Sequence, residues 1–172
     1  MIEERHSHEK VPTLEVYTDG SLKRSGPTMT FGAWGFIVVQ FNNQLYTGCG
    51  SVYDTTNQRM ELQAIRNALI YVSSIRRPND RVVIYSDSAY AINCYLQGWH
   101  TNWLNNGWIN SKGQEVANRD LWTDIIPFFN HFWYHFTKVP AHSNNFWNNK
   151  CDEMVQYEAE YLKTHWRGTD NG

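Results

Sequence analysis

Along residues 13–18, TLEVYT, apolar and polar positions alternate, with Leu14 and Val16 facing one way and Glu15 and Tyr17 the other. This two-residue period predicts a strand. Residues 31–41, FGAWGFIVVQF, are apolar and aromatic and predict a second strand; NNQ at 42–44 signals a turn, and LYTGCGSVY at 45–53 a third strand. Connections this short make the three strands antiparallel neighbours. From Thr56 to Ile75 the period lengthens: Met60, Ala64, Ile65, Ala68, Leu69, Val72 and Ile75 recur at helical spacing, and Pro78 stops the helix. VVIY at 82–85 is a continuous apolar strand, the pattern of burial on both faces. SDSAYAINCYL at 86–96 reads as a helix with Ser86 or Asp87 as its N-cap. The Trp- and Asn-rich stretch 98–119 shows no period. Asp120 then caps a short helix that Pro127 cuts, 131–139 form a last strand, and 144–166 a closing helix with an Asn-rich, loop-like start. The order β-β-β-α-β-α-α-β-α predicts an α/β fold. Its five-stranded mixed sheet has the first three strands antiparallel and the later ones parallel through helical crossovers.

The chain's 172 residues suffice for one domain with a sizeable core. We expect a polar N-terminal tail over 1–12, a single domain over 13–165 and a C-terminal tail over 166–172. No apolar run approaches the roughly 20 residues that span a bilayer, and MIEERHSHEK lacks the apolar core of a signal peptide. Cys49, Cys94 and Cys151 are odd in number, widely spaced and without a CxxC, which suits structural thiols in a reducing compartment. A cytoplasmic location follows as the expectation. The formal net charge of -2 argues against nucleic-acid binding by bulk charge and leaves room only for a local basic groove.

Four carboxylates change this picture. On a helical wheel that places Glu61 at zero, Val72 lies at about 20° and Ile65 at about 40°, so a carboxylate sits inside an apolar stripe. A buried ionised carboxylate must be neutral, paired or bound to a cation. Asp87 follows a buried strand, where α/β proteins place ligand sites, although taken alone it reads first as an N-cap. Asp19, before Gly20, reads alone as a turn residue, and Asp152 alone as surface. Taken together they point elsewhere. Several carboxylates converging on one spot repel one another unless a hard cation neutralises them, and oxygen ligands without Cys or His suit Mg²⁺ or Mn²⁺.

These segments carry a resemblance. YTDGS around Asp19, TNQRMEL around Glu61, YSDSAY around Asp87, and VPAHS followed ten residues after His142 by Asp152 resemble type 1 ribonuclease H in order and spacing. GW at 107–108 and ANRDLW at 117–122 add weaker matches, and the likeness runs from about residue 14 to about residue 160. It implies a ribonuclease H-like fold and a metal-dependent endoribonuclease. The implied reaction cleaves the RNA strand of RNA–DNA hybrids through two metal ions and leaves 5′-phosphate and 3′-hydroxyl ends. Asp19, Glu61, Asp87 and Asp152 would be metal ligands, with Asp19 bridging, and His142 would assist proton movement or product release. Asn57 and Gln58 match positions that read the RNA minor groove and its 2′-hydroxyls. Tyr90 and Trp99 match aromatics on the deoxyribose side, with plain core packing as the alternative. Thr56 and Asn118 match a phosphate pocket, and Gly20 and Ser21 fall within the first motif.

Three departures qualify the resemblance. Asp54 stands where the phosphate pocket often has arginine, Ala141 replaces the usual glycine before His142, and the stretch 99–119 has only Lys112 and Arg119 as cations where the family carries a basic protrusion. Substrate binding weaker and less salt-sensitive than in basic relatives is therefore expected. Competing readings are a nuclease of the same fold acting on DNA or double-stranded RNA, a binding module without activity, and a reverse-transcriptase fragment. The hybrid is the expected partner, with no membrane, no obligate protein partner and a monomeric chain.

Overall fold

The computed structural model describes residues 11–139 and 144–168. Strands β1 (Thr13–Ser25), β2 (Met29–Gln40) and β3 (Asn43–Tyr53) form an antiparallel meander. Helix α1 (Asn57–Ile75) crosses over to β4 (Arg81–Ser86), parallel to β1. Helices α2 (Ala89–Gln97), α3 (Trp99–Asn105) and α4 (Arg119–Ile125) lead to β5 (Tyr134–Lys138), parallel to β4, and α5 (Phe146–His165) closes the domain. The sheet order is β3-β2-β1-β4-β5, the mixed topology expected from the element pattern.

Helices cover both faces. Leu14 and Val16 join Phe36, Leu62, Ile65, Leu69 and Ile84 in the main core beneath α1. Tyr17, on the opposite face, is buried as well, with Ile37, Val39 and Cys151 beneath α5. The hydrophobic effect therefore acts on both sides of β1 and makes it the centre of the domain. Among the described residues, no helix is long and apolar enough to cross a membrane.

Several boundaries differ from the sequence expectation for local reasons. β1 runs straight through Asp19-Gly20 to Ser25 because β2 pairs with it along its whole length, from Glu15↔Val39 to Ser25↔Met29. The β2–β3 turn falls at Phe41 and Asn42, both at positive φ, one residue earlier than the NNQ signal. Helix α2 begins at Ala89, because Ser88 accepts from Ala91 N and serves as the cap in place of Ser86 or Asp87. Asn118, at positive φ, precedes α4; Asp120 lies in the first turn instead of capping it. Trp99 to Asn105 are helical although the stretch looked irregular, with Trp103 and His100 buried. Pro127 ends α4 as expected, in a 3₁₀ turn at Ile126–Phe128.

Candidate active site

The pairing of β1 with β4 ends at Tyr17↔Tyr85, whereas its pairing with β2 continues. Asp19 thus sits on a strand held on one side and open on the other, just past the end of β4. Thr18 marks this end by donating from its hydroxyl to the Tyr85 carbonyl at 2.8 Å. Asp19 is only 5% exposed, and one of its oxygens accepts from the Gly20 N–H at 2.8 Å.

Gly20 brings the second carboxylate in. A Cβ at this position would lie 2.6 Å from the Glu61 nitrogen and 2.7 Å from the Met60 carbonyl carbon. The glycine thus lets the first turns of α1 rest directly on β1. Thr56 starts that helix, its hydroxyl accepting from Arg59 N at 3.1 Å. Glu61 lies within the apolar face, as the wheel predicts, with 6% exposure. Asp87 follows the last residue of β4 and stands at the exposed rim. Because Ser88 takes the capping role, the Asp87 carboxylate is left for the site. Asp19, Glu61 and Asp87 each offer an oxygen within 4.8 Å of the others. Asp152, exposed on α5, lies outside that group of three but close enough to Asp19 and Asp87 to raise the pKa of both. Its neighbour Cys151 is buried, its Sγ 3.6 Å from the Tyr17 carbonyl and 3.5 Å from that of Gly35, which fixes α5 at this height on the sheet.

Burial raises the Asp19 pKa to about 8, and the nearby Asp87 and Asp152 add to the rise. Burial also pushes Glu61 well above the usual carboxylate range, helped by Asp19 and Asp87. Partial burial and then Asp152 raise Asp87, against its own backbone N–H, Glu61 and Lys138, which favour the charged form. The donor set suits a hard divalent cation: all four groups are carboxylates, and Glu61 Oε2 is buried without a hydrogen-bond partner among the described residues.

A folded-state pKa above the unfolded value stabilises the protein fully below the unfolded pKa, and this contribution is lost as pH rises through the folded one. For Asp19 that window runs from 3.8 to about 8. Metal-free protein should therefore melt at a higher temperature at pH 5 than at pH 8, and Mg²⁺ should recover the difference at pH 8. Equal melting temperatures at the two pH values in EDTA would mean that the carboxylates are not crowded.

Glu61 and Asp87 line a cavity of ≈ 300 Å³ with Asn57, Gln58 and Tyr90. Gln58 and Tyr90 also open onto a second cavity of ≈ 480 Å³ that includes Trp99, Asn102 and Asn106. Tyr90 is half-buried: its hydroxyl accepts from Trp122 Nε1 at 3.1 Å, and its ring lies 6.0 Å from that of Trp99. Core packing and groove lining thus both describe it. Asn118 Oδ1 accepts from Arg59 at 3.4 Å one turn from Thr56. Gly20 and Ser21 line neither cavity; Ser21 is buried within β1. His142 lies outside the described residues.

The sequence profile of the family described as RNase H matches residues 12–160. The Ribonuclease H of Syntrophomonas wolfei subsp. wolfei is 41% identical over 148 residues, covering 86% of this chain and 96% of that protein. The chain belongs to the ribonuclease H family. It is a hydrolase of the nuclease class, as the motifs implied. Two solved ribonuclease H structures share the fold. The PFV RNase H domain superposes with a TM-score of 0.72 at 20% identity, covering 88% of this chain and 97% of that one. LC11-RNase H1, solved in complex with an RNA/DNA hybrid, gives 0.62 at 18% identity over 87% and 99%.

Two residues near this ribonuclease H site escaped the sequence analysis. Arg59 ties α1 to α4 through Asn118 and an ion pair with Asp120. Lys138 ends β5 opposite Ser86 and acts on Asp87. The strand register was the missing signal: it sets Lys138 next to the end of β4, a neighbourhood that separation along the chain conceals.

Proposed function

We propose that this ribonuclease H cuts the RNA strand of RNA–DNA hybrids endonucleolytically, leaving 5′-phosphate and 3′-hydroxyl ends. The observation that carries the reading is the convergence of Asp19, Glu61 and Asp87 oxygens within 4.8 Å at the end of β4. These three, with Asp152, would hold divalent cations, Mg²⁺ or Mn²⁺. When bound, such ions lower the pKa of water and neutralise charge on phosphate oxygens. Asp19 is central because β1 holds it rigidly among the other three. Glu61, which lines the cavity shared with Asn57 and Gln58, can accept from a 2′-hydroxyl, the group that separates RNA from DNA. The Asn57 and Gln58 amides line the same cavity and can hydrogen-bond the RNA minor groove. Tyr90 and Trp99 offer apolar faces for the deoxyribose side, and Thr56 with Asn118 a phosphate contact. His142 completes the proposed set as the group that moves protons near neutral pH. A cytoplasmic location belongs to the same reading.

The test is to incubate labelled hybrid, RNA duplex and DNA duplex separately with Mg²⁺, with and without EDTA. Cleavage of the hybrid's RNA strand alone, lost in EDTA, is the expected result. Preferential cutting of either other duplex would move the protein to a different substrate class.

Two arginines near the site are already engaged. Arg59 pairs with Asp120, and Arg119 lies over the Trp108 ring at 5.2 Å and 3.8 Å from Glu115. Farther away, Arg76 and Arg77 are hydrogen-bonded around Asp80. Substrate binding should therefore release few counterions. Affinity is expected to fall only shallowly with salt, with a log–log slope of about -1 to -3, measured by fluorescence anisotropy with a non-cleavable hybrid. A steep slope would show many phosphate contacts that these pairings do not prevent.

A further inference from the structure

We propose, resting on the hybrid reading of the site, that Arg24 at the far end of β1 supplies the cation for the DNA-strand phosphate contacted by Thr56 and Asn118. Asp54 stands where an arginine often completes this pocket. A carboxylate there repels the phosphate that must approach, unless a cation from elsewhere in the fold offsets it. The strand register brings one to the same place.

Gly20 faces α1, since a Cβ there would meet Met60 and Glu61, and Gly32 faces it too, against Thr55 and Met60. Leu22 pairs with Gly32, and Arg24 with Thr30. Gly20, Leu22 and Arg24 are alternate residues of one strand, so all three lie on the α1 face. Thr30, opposite Arg24 and on the same face, accepts from Thr55 N at 3.0 Å with its hydroxyl and donates that hydroxyl to the Thr55 carbonyl at 2.9 Å. The Thr30 carbonyl accepts from Asp54 N at 2.9 Å. The segment 54–55 is thus pinned to the residue opposite Arg24. α1 starts at once from Thr56, and its first turns come to rest on Gly20. Arg24, Asp54 and Thr56 are all exposed. The arginine ion pairs among the described residues involve Arg59, Arg66, Arg77 and Arg119, not Arg24.

Lys23 provides the contrast. It pairs with Phe31 and lies on the opposite face, where the Phe31 ring meets that of Trp166 at 6.0 Å. The two cations are neighbours in the chain and equal in charge, yet only Arg24 shares a face with the start of α1. Arg24 lies farther along β1 than Asp19, roughly 17 Å away at the rise of an extended strand. It therefore meets a different part of the duplex from the strand held at the carboxylates. Arginine suits the role, because its guanidinium can give two parallel N–H groups to one phosphate. A single contact of this kind releases about one counterion and agrees with the shallow salt dependence expected of the whole site.

The experiment measures binding of the non-cleavable hybrid by fluorescence anisotropy across a salt series. It compares wild type with Arg24→Gln, Lys23→Gln and the pair Arg24→Gln with Asp54→Arg, each shown to be folded by thermal melting. Arg24→Gln should weaken binding about five- to tenfold and make the log–log salt slope shallower by about 0.9. Lys23→Gln should keep the parental slope and bind within about twofold of wild type. Adding Asp54→Arg to Arg24→Gln should bring back both affinity and slope, because it returns a cation to the pocket from the other side. Lost packing at position 24 would not be repaired in that way. The assignment is overturned if Arg24→Gln keeps the parental affinity and slope, or if Lys23→Gln loses as much. It is equally overturned if the folded protein carrying Asp54→Arg recovers neither. Wild-type cleavage of labelled hybrid is read alongside. Where the wild type cuts, a failure of these outcomes strikes Arg24 alone; where it does not, the hybrid reading falls and Arg24 with it.

Discussion

Asp19→Asn is expected to lower hybrid cleavage at least about a thousandfold, roughly 4 kcal/mol of barrier, while leaving the fold intact. Asp19 is the innermost carboxylate of the cluster, 5% exposed and flanked by Asp87 and Asp152. An asparagine keeps the shape, and its oxygen can still accept from Gly20 N. Its amide can donate towards Asp152, whose carboxylate now opposes the Asp19 charge. What disappears is a negative charge, and with it much of the affinity for a divalent cation. In EDTA at pH 8 the variant should melt above the parent, because the group it loses is held ionised at a cost there. Single-turnover cleavage and thermal melting check both halves. A variant that cuts at the parental rate would remove Asp19 from the site. A variant melting well below the parent would mean that the carboxylate supports the fold in its charged form.

Gly20→Ala is expected to destabilise the protein by about 1–3 kcal/mol and to reduce cleavage by more than the fraction unfolded explains. The added methyl meets the backbone of α1 at Met60 and Glu61, which cannot rotate away as the end of a side chain can. α1 must move off β1, and it carries Glu61 away from Asp19. Gly50 provides the control, because a Cβ there meets the Trp34 side chain at 2.6 Å, in the β2–β3 pair and outside the carboxylate cluster. Gly50→Ala should cost stability without displacing the carboxylates. Denaturant melts alongside cleavage rates measured on fully folded protein separate the two. Equal losses of activity in both variants would show that the close approach of β1 and α1 does not set the carboxylate geometry.

Much of the molecule was legible in the chain. The 3.6-residue period of residues 56–75 placed Glu61 on a buried face because helical geometry is set locally, and the structure agrees at 6% exposure. The short connections between the first three strands dictated an antiparallel meander, and the motifs around Asp19, Glu61, Asp87 and Asp152 pointed to the family. Turn chemistry misled at Asp19-Gly20, where pairing with β2 along the whole of β1 outweighs the local tendency to bend. It misled again at Asp87, since Ser86, Asp87 and Ser88 are all competent caps and only the position of Ser88 lets its oxygen meet Ala91 N.

Sequence alone thus determined the order of elements, the buried place of Glu61 and the membership of the family, because each depends on neighbours within a few residues or on short motifs. The tertiary structure alone decided that Asp19, Glu61 and Asp87 meet, with Asp152 near Asp19 and Asp87. It also decided that Lys138 stands beside Asp87 and that Arg59 is spent on Asp120. Those facts depend on strand register and on the close approach of α1 at Gly20. Distances between groups far apart in the chain arise only when burial of the shared core brings the elements together.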